Sequence, residues 1–277
     1  MKLFIDIGGT YLRSELHTGR EVKYSKCSSR ENDLVAFIEN TITEYGSLSF
    51  VGISFAGQVN HGEIVSAPNI DISQKKIKTY FESRYGLRLE IDNDLNCVVM
   101  AEAKSLKAES IAALYVGTGL GAAVIDNGSI VRGWRNQAFE LGHIPYREAP
   151  FLCGCGKNNC IELFASGGGI ERWLRYNKEE GSSLKPNLER MKRQNDPLVE
   201  MFEHALLHAA ATLVTLANPK IVVLGGGIIE ANPYLVPWIR EHIVSMALPT
   251  SLEGLQIVQT KLQNAAMDGA KLLEERE

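Results

Sequence analysis

Apolar residues fall along this chain in short runs that alternate with stretches of helical spacing, the pattern of an α/β protein. Leu3-Phe4-Ile5-Asp6-Ile7 predicts a buried strand ended by Gly8-Gly9, with Tyr11 to Leu16 returning beside it as a hairpin partner. Thr18-Gly19 turns into a further strand from Glu21 to Ser25. Between Asp33 and Tyr45, Leu34, Phe37, Ile38, Ile42 and Tyr45 recur at helical spacing. Phe50 to Phe55 reads as a strand ended by Ala56-Gly57. Ile77, Tyr80, Phe81 and Tyr85 mark a helix closed by Gly86 at the C-cap. Leu87 to Ile91 is a strand and Leu95 to Lys104 a helix.

The second half begins in the same way. Ile111 to Val116 is an apolar strand broken by Gly117-Thr118-Gly119-Leu120-Gly121; Ala122 to Ile125 returns, and Asp126-Asn127-Gly128 is a hairpin turn before Ser129 to Arg132. LFIDIGGTYLRSEL and ALYVGTGLGAAVI therefore share one plan: buried strand, glycine turn with a threonine, second strand. Two such hairpins, each opening a half of similar design, predict an internal duplication with a ligand between the halves. A helix from Pro197 to Asn218 leads to the strand Ile221 to Leu224, followed by Gly225-Gly226-Gly227; a late strand spans Leu255 to Val258 and a terminal helix Asn264 to Glu274. Lys178 to Asp196 reads as a solvated helix and loop excursion.

Composition narrows the classes. The chain has 277 residues, 29 Lys plus Arg against 33 Asp plus Glu, and a net charge of −4, with no block of like charges to mark a nucleic-acid or anionic-membrane partner. Ala205 to Ala217, the most apolar helical stretch, carries His208, Thr212 and Thr215 and is too short to span a bilayer. No basic-then-apolar start precedes Asp6, so no signal peptide is expected. Five cysteines, three of them within eight residues, suit a metal site in a reducing compartment better than a disulfide framework. A cytoplasmic protein is expected.

Gly8-Gly9-Thr10 and Gly117-Thr118-Gly119 each supply a glycine turn with a hydroxyl. Such a turn can be a plain tight hairpin, or it can let backbone N–H groups converge on a phosphate. Neither fits the P-loop or the dinucleotide fingerprint. Asp6 weights the second reading, because a carboxylate in a buried strand needs a partner or a cation, and Mg²⁺ held against phosphates would provide one. Gly225-Gly226-Gly227 offers a third close approach, to a flat ligand such as adenine or to nothing more than a turn.

Asp92-Asn93-Asp94 stands between a strand and a helix, where ligands gather in open α/β sheets. Asn93 or Asp94 can serve as a helix N-cap, and Asp94 as a general base toward a substrate hydroxyl. His143, Cys153, Cys155 and Cys160, at gaps of ten, two and five residues, can supply the four N/S ligands of a closed structural zinc site, or be buried free cysteines beside an unrelated histidine. Glu140 and Glu162 bracket that cluster; Cys97 reads as a small core residue.

Jointly these residues resemble the ROK family of bacterial sugar kinases, within the actin-like, hexokinase-type ATPase superfamily. DIGGT at Asp6 to Thr10 looks like the family's first phosphate motif, GTGLG at Gly117 to Gly121 its second, and LGGGI at Leu224 to Ile228 its adenosine motif. The pattern E-x-G-H, C-x-C-G and a last Cys followed by x-E, from Glu140 to Glu162, is similar to its zinc signature.

The resemblance implies two ribonuclease-H-like lobes around a central cleft that takes ATP–Mg²⁺ and a hexose. The small lobe is expected at 1–106, with the helix of about 264–277 packing back on it, and the large lobe with the zinc loop at 107–263. Asp94 would be the catalytic base toward the sugar 6-hydroxyl, and Gly57, Asn69, Asn93, Glu140, His143 and Glu162 would complete the sugar site. Asp6 would position Mg²⁺; Gly8, Gly9, Thr10, Gly117, Thr118 and Gly119 would cradle phosphate, and Gly225, Gly226 and Gly227 the adenosine. His143, Cys153, Cys155 and Cys160 would hold Zn²⁺, and a homodimer is implied.

The chain departs from the family pattern in places. Tyr11 follows DIGGT where lysine is frequent, and Phe139 replaces a habitual glycine directly beside Glu140. Glucose is the expected acceptor, with other hexoses and N-acetylhexosamines as alternatives. A ROK repressor is disfavoured, because it needs an N-terminal DNA-binding domain of roughly 70 or more residues, whereas DIGGT begins at Asp6. A sugar sensor without turnover is disfavoured by Asp94 and the two phosphate turns.

Overall fold

The first apolar run forms β1 (Lys2–Ile7), paired antiparallel with β2 (Tyr11–His17) and parallel with β4 (Phe50–Phe55). β3 (Val22–Ser28) adds to β2 and β7 (Arg88–Asn93) to β4, giving a sheet in the order β3-β2-β1-β4-β7. The second glycine hairpin joins β8 (Ile111–Val116) to β9 (Leu120–Asp126), and with β10 (Ser129–Ile130), β11 (Ile221–Gly225) and β12 (Gln256–Gln259) builds a sheet in the order β10-β9-β8-β11-β12. Both sheets run antiparallel, antiparallel, parallel, parallel from the hairpin edge. The duplication expected from the paired strand–glycine–strand motifs is present strand for strand, and each sheet has the ribonuclease-H-like plan. This computed structural model describes residues 1–67, 70–177, 188, 192 and 196–276.

Local chemistry sets the helix ends. Helix α1 (Leu34–Tyr45) starts at Asp33, whose side chain accepts from the Ala36 N–H, and α2 (Ile77–Tyr85) stops at Gly86 with φ +62°, the left-handed C-cap its sequence calls for. α3 (Asp94–Leu106) follows β7 without a gap. After α4 (Gly167–Tyr176), the long α5 (Pro197–Ala217) is capped by Asp196, opens with proline and ends at left-handed Asn218. Asn127 and Gly128 both have positive φ, as a two-residue hairpin turn requires. α6 (Gly227–Ala231), α7 (Leu235–His242) and the terminal α8 (Ala265–Leu272) complete the helices among the described residues. None is long and apolar enough to cross a membrane.

The hairpin β5 (Gln58–Asn60) and β6 (Glu63–Ser66) was not visible as strands in the sequence, because three or four residues give too short a period to read. The stretch 178–196 lies mostly outside the described residues; within it Leu188 is wholly buried, against the solvated excursion expected there.

Two compact units divide the chain: Met1–Ser105 with Arg132–Ala138 and Leu262–Glu277, and Leu106–Val131 with Phe139–Lys261. In the first, one face of the sheet packs Leu3, Ile5, Ile7, Val51 and Ile53 under α1 and α2, and Cys97, Phe4, Phe50, Met267 and Leu273 form a smaller cluster. α8 reaches α3 so closely that a Cβ on Gly269 would lie 2.0 Å from the Cys97 carbonyl oxygen. The second unit buries Ala112, Leu114, Leu206, Val222, Leu224 and their neighbours around α5. β3 is an edge strand exposed over Val22–Lys26. Its lysines Lys23 and Lys26 lie over the rings of Tyr45 and Tyr11.

Candidate active site

In the first unit the chemistry gathers at the carboxyl ends of three neighbouring parallel strands. Ile7, Phe55 and Asn93 end β1, β4 and β7 in register, and one residue earlier a polar row runs Arg13, Asp6, Ser54, Asp92 across β2, β1, β4 and β7. Asp6, Ser54 and Asp92 of this row are all buried. Arg13 Nη1 donates to Asp6 Oδ2 at 3.1 Å. Burial still raises the Asp6 carboxyl above its ordinary range, the opposing pull of Arg13 being only partial. A second cation beside Asp6 would relieve that burial, which is how Mg²⁺ fits this position. Arg13 carries no local signal in the sequence, since its role appears only once β2 is set in register against β1.

The segment after β7 carries two roles that sequence left open. Asn93 Oδ1 accepts the backbone N–H of Leu95 at 2.9 Å and that of Asn96 at 3.4 Å, so Asn93 caps α3, and its amide donates to the Gly57 carbonyl at 3.0 Å. Asp94 is the first residue of the helix, half-buried, with Oδ1 taking the Leu95 N–H at 2.9 Å. Asn69 lies outside the described residues.

Beneath both sits Asp92, 1% exposed. Its Oδ1 accepts from the Asn93 N–H (2.8 Å), Asn96 Nδ2 (2.9 Å) and Asn136 Nδ2 (3.2 Å); its Oδ2 accepts from Arg132 (2.8 Å) and Arg276 (2.5 Å). Burial alone would push this carboxyl up; hydrogen bonding from Arg132 and the charges of Arg276 and Arg132 outweigh it and hold the pKa at about 2.

In the second unit, Gly117, Thr118 and Gly119 close the β8–β9 hairpin. Positive φ does not explain these glycines: Gly8, Gly117 and Gly119 all lie outside the left-handed region. A Cβ on Gly117 would meet open space, so what glycine keeps there is a bare backbone that another group can approach. The Gly117 and Thr118 carbonyls accept from the N–H groups of Gly167 (2.8 Å) and Gly168 (3.0 Å) at the start of α4. In a trans peptide the following N–H points the opposite way, so the Thr118 and Gly119 amides are turned away from α4 as a cradle for an anion would require. The Ser166-Gly167-Gly168-Gly169 run that buttresses the turn escaped the sequence reading; a capping serine before three glycines was its signal.

Gly225 and Gly226 have structural reasons of their own. A Cβ at Gly225 would strike the Tyr115 ring at 2.4 Å, and Gly226 has φ +89° and lies against the Val116 carbonyl. Gly227 alone faces open space.

His143, Cys153, Cys155 and Cys160 are brought together, with one ligand atom from each all within 4.8 Å of one another. His143 Nδ1 is 3.6 Å from Cys153 Sγ, and Cys155 Sγ is 3.3 Å from Cys160 Sγ. Tetrahedral zinc with Zn–S of about 2.3 Å separates its ligands by about 3.8 Å, so the four fit that ion. Burial raises the Cys153 thiol, which donates to Glu162 Oε1 at 3.1 Å. Glu162 Oε2 accepts the Leu120 N–H at 3.3 Å. Glu140 is exposed. Before it, Phe139 holds φ +61°, a left-handed conformation that glycine takes without strain and a bulky residue does not.

The model of the ROK family matches residues 3–277. The chain belongs to the ROK family. Curated relatives of this ROK protein include a glucokinase of Thermotoga maritima, 28% identical over 98% of this chain and 96% of that one. An N-acetyl-D-glucosamine kinase of Mannheimia succiniciproducens is 29% identical over 87% and 90%. A ROK glucokinase of Streptomyces griseus, solved with glucose and AMPPNP, superposes with a TM-score of 0.77 at 24% identity, covering 99% of each chain. This shared architecture is the actin-like ATPase fold. A ROK transcriptional regulator shares it at a TM-score of 0.81 and 24% identity, over 99% of this chain and 77% of that one.

Proposed function

We propose that this ROK protein is an ATP-dependent hexose kinase that phosphorylates the 6-hydroxyl of its sugar, glucose being the preferred acceptor. The observation that carries this is the shared sheet edge of the first unit. The DIGGT turn leaves β1 two strands from where Asp94 follows β7, about 10 Å at ordinary strand spacing. That separation suits a base and a phosphate turn serving one transfer. The glucokinase relatives support the acceptor, and the N-acetylglucosamine kinase relatives support an N-acetylhexosamine as the alternative.

Asp94 would take the proton of the acceptor hydroxyl as its oxygen attacks the γ-phosphorus, the oxygen–phosphorus bond to ADP breaking in the same transfer. Asn93, fixed by its cap and by Gly57, keeps Asp94 at the start of α3. Glu140, His143 and Glu162 would bind the remaining sugar hydroxyls, His143 through the ring nitrogen that does not face the cysteines. The amides of Thr118 and Gly119 and the DIGGT turn would hold the phosphates. Mg²⁺, placed through Asp6, would neutralise charge on the transferring group. Zinc on His143, Cys153, Cys155 and Cys160 would be structural, since four protein ligands fill its shell.

A panel of hexoses and N-acetylhexosamines assayed for ADP formation tests the function. Turnover on glucose, lost at least about 100-fold in Asp94→Asn with zinc content and folding intact, is expected. Wild-type protein that binds sugars and forms no ADP on any of them would sink the kinase reading.

A further inference from the structure

Asp92 is buried, ionised and used by none of the steps above. We propose that it is the positioning residue for the base, locking the turn from β7 into α3 from which Asn93 and Asp94 project. This rests on Asp94 acting as the base, and it adds a residue one position away that never meets the substrate.

The geometry is specific to that task. A buried carboxylate has about four acceptor sites, and Asp92 fills five contacts, with none left for solvent or ligand. One contact is the backbone N–H of the next residue, Asn93, at 2.8 Å, which fixes the peptide plane at the strand end. Another is Asn96 Nδ2, in the first turn of α3, so strand and helix are pinned from a single group. Two arginines from remote parts of the chain, Arg132 and Arg276, pair with the one carboxylate. A buried ion pair adds little net stability against an apolar replacement, so its use here points to geometry.

The clamp also secures a loop. Arg132 and Asn136 both reach Asp92, Asn136 additionally donates to the Val59 carbonyl at 2.8 Å, and Ala138 N–H closes the loop onto the Arg132 carbonyl at 3.1 Å. The chain enters this clamped segment from β10 and leaves it two residues before Glu140. One anion thus fixes the departure of the base and the loop that precedes a sugar-binding candidate in the chain.

Asp92→Asn and, because two arginines without their anion can prevent folding, Arg132→Gln and Arg276→Gln are the variants to make. In the folded variants kcat is expected to fall about 10- to 100-fold while KM for hexose and for ATP move less than about threefold, as misplacement of a group by a fraction of an ångström produces. Arg132→Lys, which keeps the charge, should recover part of the loss. Hydrogen exchange supplies a readout independent of turnover: the Asn93 and Leu95 amides should exchange at least about tenfold faster in the variants, while β1 amides hold. Unchanged exchange at Asn93, or kcat and both KM values shifting together with lost folded protein, overturns the proposal. An inactive wild type with a protected Asn93 overturns the kinase reading and leaves the lock standing.

Discussion

Glu162 ties the Leu120 backbone to Cys153: one carboxylate oxygen takes the Leu120 N–H at 3.3 Å and the other the Cys153 thiol at 3.1 Å. The Cys/His cluster and the end of the second glycine turn are therefore joined through one side chain. Zinc binds cysteine as thiolate, which has no proton to give, so zinc held here would release that Glu162 oxygen to another donor.

Removing the metal should act on sugar binding through this link. Cys155→Ser is expected to lower zinc affinity at least about 100-fold and to weaken hexose affinity with it. Metal analysis paired with calorimetric titration of the hexose checks this. Undiminished sugar affinity in zinc-free protein would show that the cluster does not organise the sugar residues.

Acid should release the Asp92 clamp. A carboxyl whose folded pKa of about 2 lies below its ordinary 3.8 contributes stability that is fully present above pH 4 and lost as pH falls toward 2. That shift corresponds to about 2 kcal/mol. Urea midpoints measured between pH 6 and pH 3 should fall with acid in the wild type and fall less steeply in Arg132→Gln.

Asp6 carries the opposite sign. Its raised carboxyl means that the folded state holds a proton more readily than the unfolded chain, so ionised Asp6 detracts from stability once pH exceeds the ordinary value. Asp6→Asn should raise the melting temperature at neutral pH and abolish turnover. A lower Tm in the variant contradicts the burial account.

Gly168→Ala tests the buttress under the second turn. The added Cβ would lie 2.7 Å from the Thr118 carbonyl oxygen, so the turn must shift. A destabilisation of about 1–3 kcal/mol and a KM for ATP raised about tenfold are expected, with KM for hexose unchanged. Steady-state kinetics varying each substrate in turn separates the two.

The elements with strong local signals were legible in sequence: the two hairpins with their glycines, the Gly86 and Asn127-Gly128 turns, and the Cys/His spacing whose four side chains come together. These depend on neighbours a few residues away. Arg13 against Asp6 needs a strand register, and the Asp92 clamp needs Arg132 and Arg276 brought from distances of 40 and 184 positions, which no local pattern records. The grouping of Arg132–Ala138 with the first unit is hidden for the same reason, since its flanks belong to the second. At Gly225 and Gly226 the sequence left a ligand contact and a plain turn both open, and the packing of Tyr115 and Val116 against them is a reason for glycine that no local pattern records.

Residues 262–276 follow the whole of the second unit in the chain, yet they complete the first. During translation β1, β4 and β7 leave the ribosome early and wait for α8 to cover their second face, with Asp92 still short of Arg276. Order of synthesis and order of completion are reversed in this protein. Neither unit is one continuous stretch of the chain, and a chain cut before Leu262 would leave the first unit unfinished.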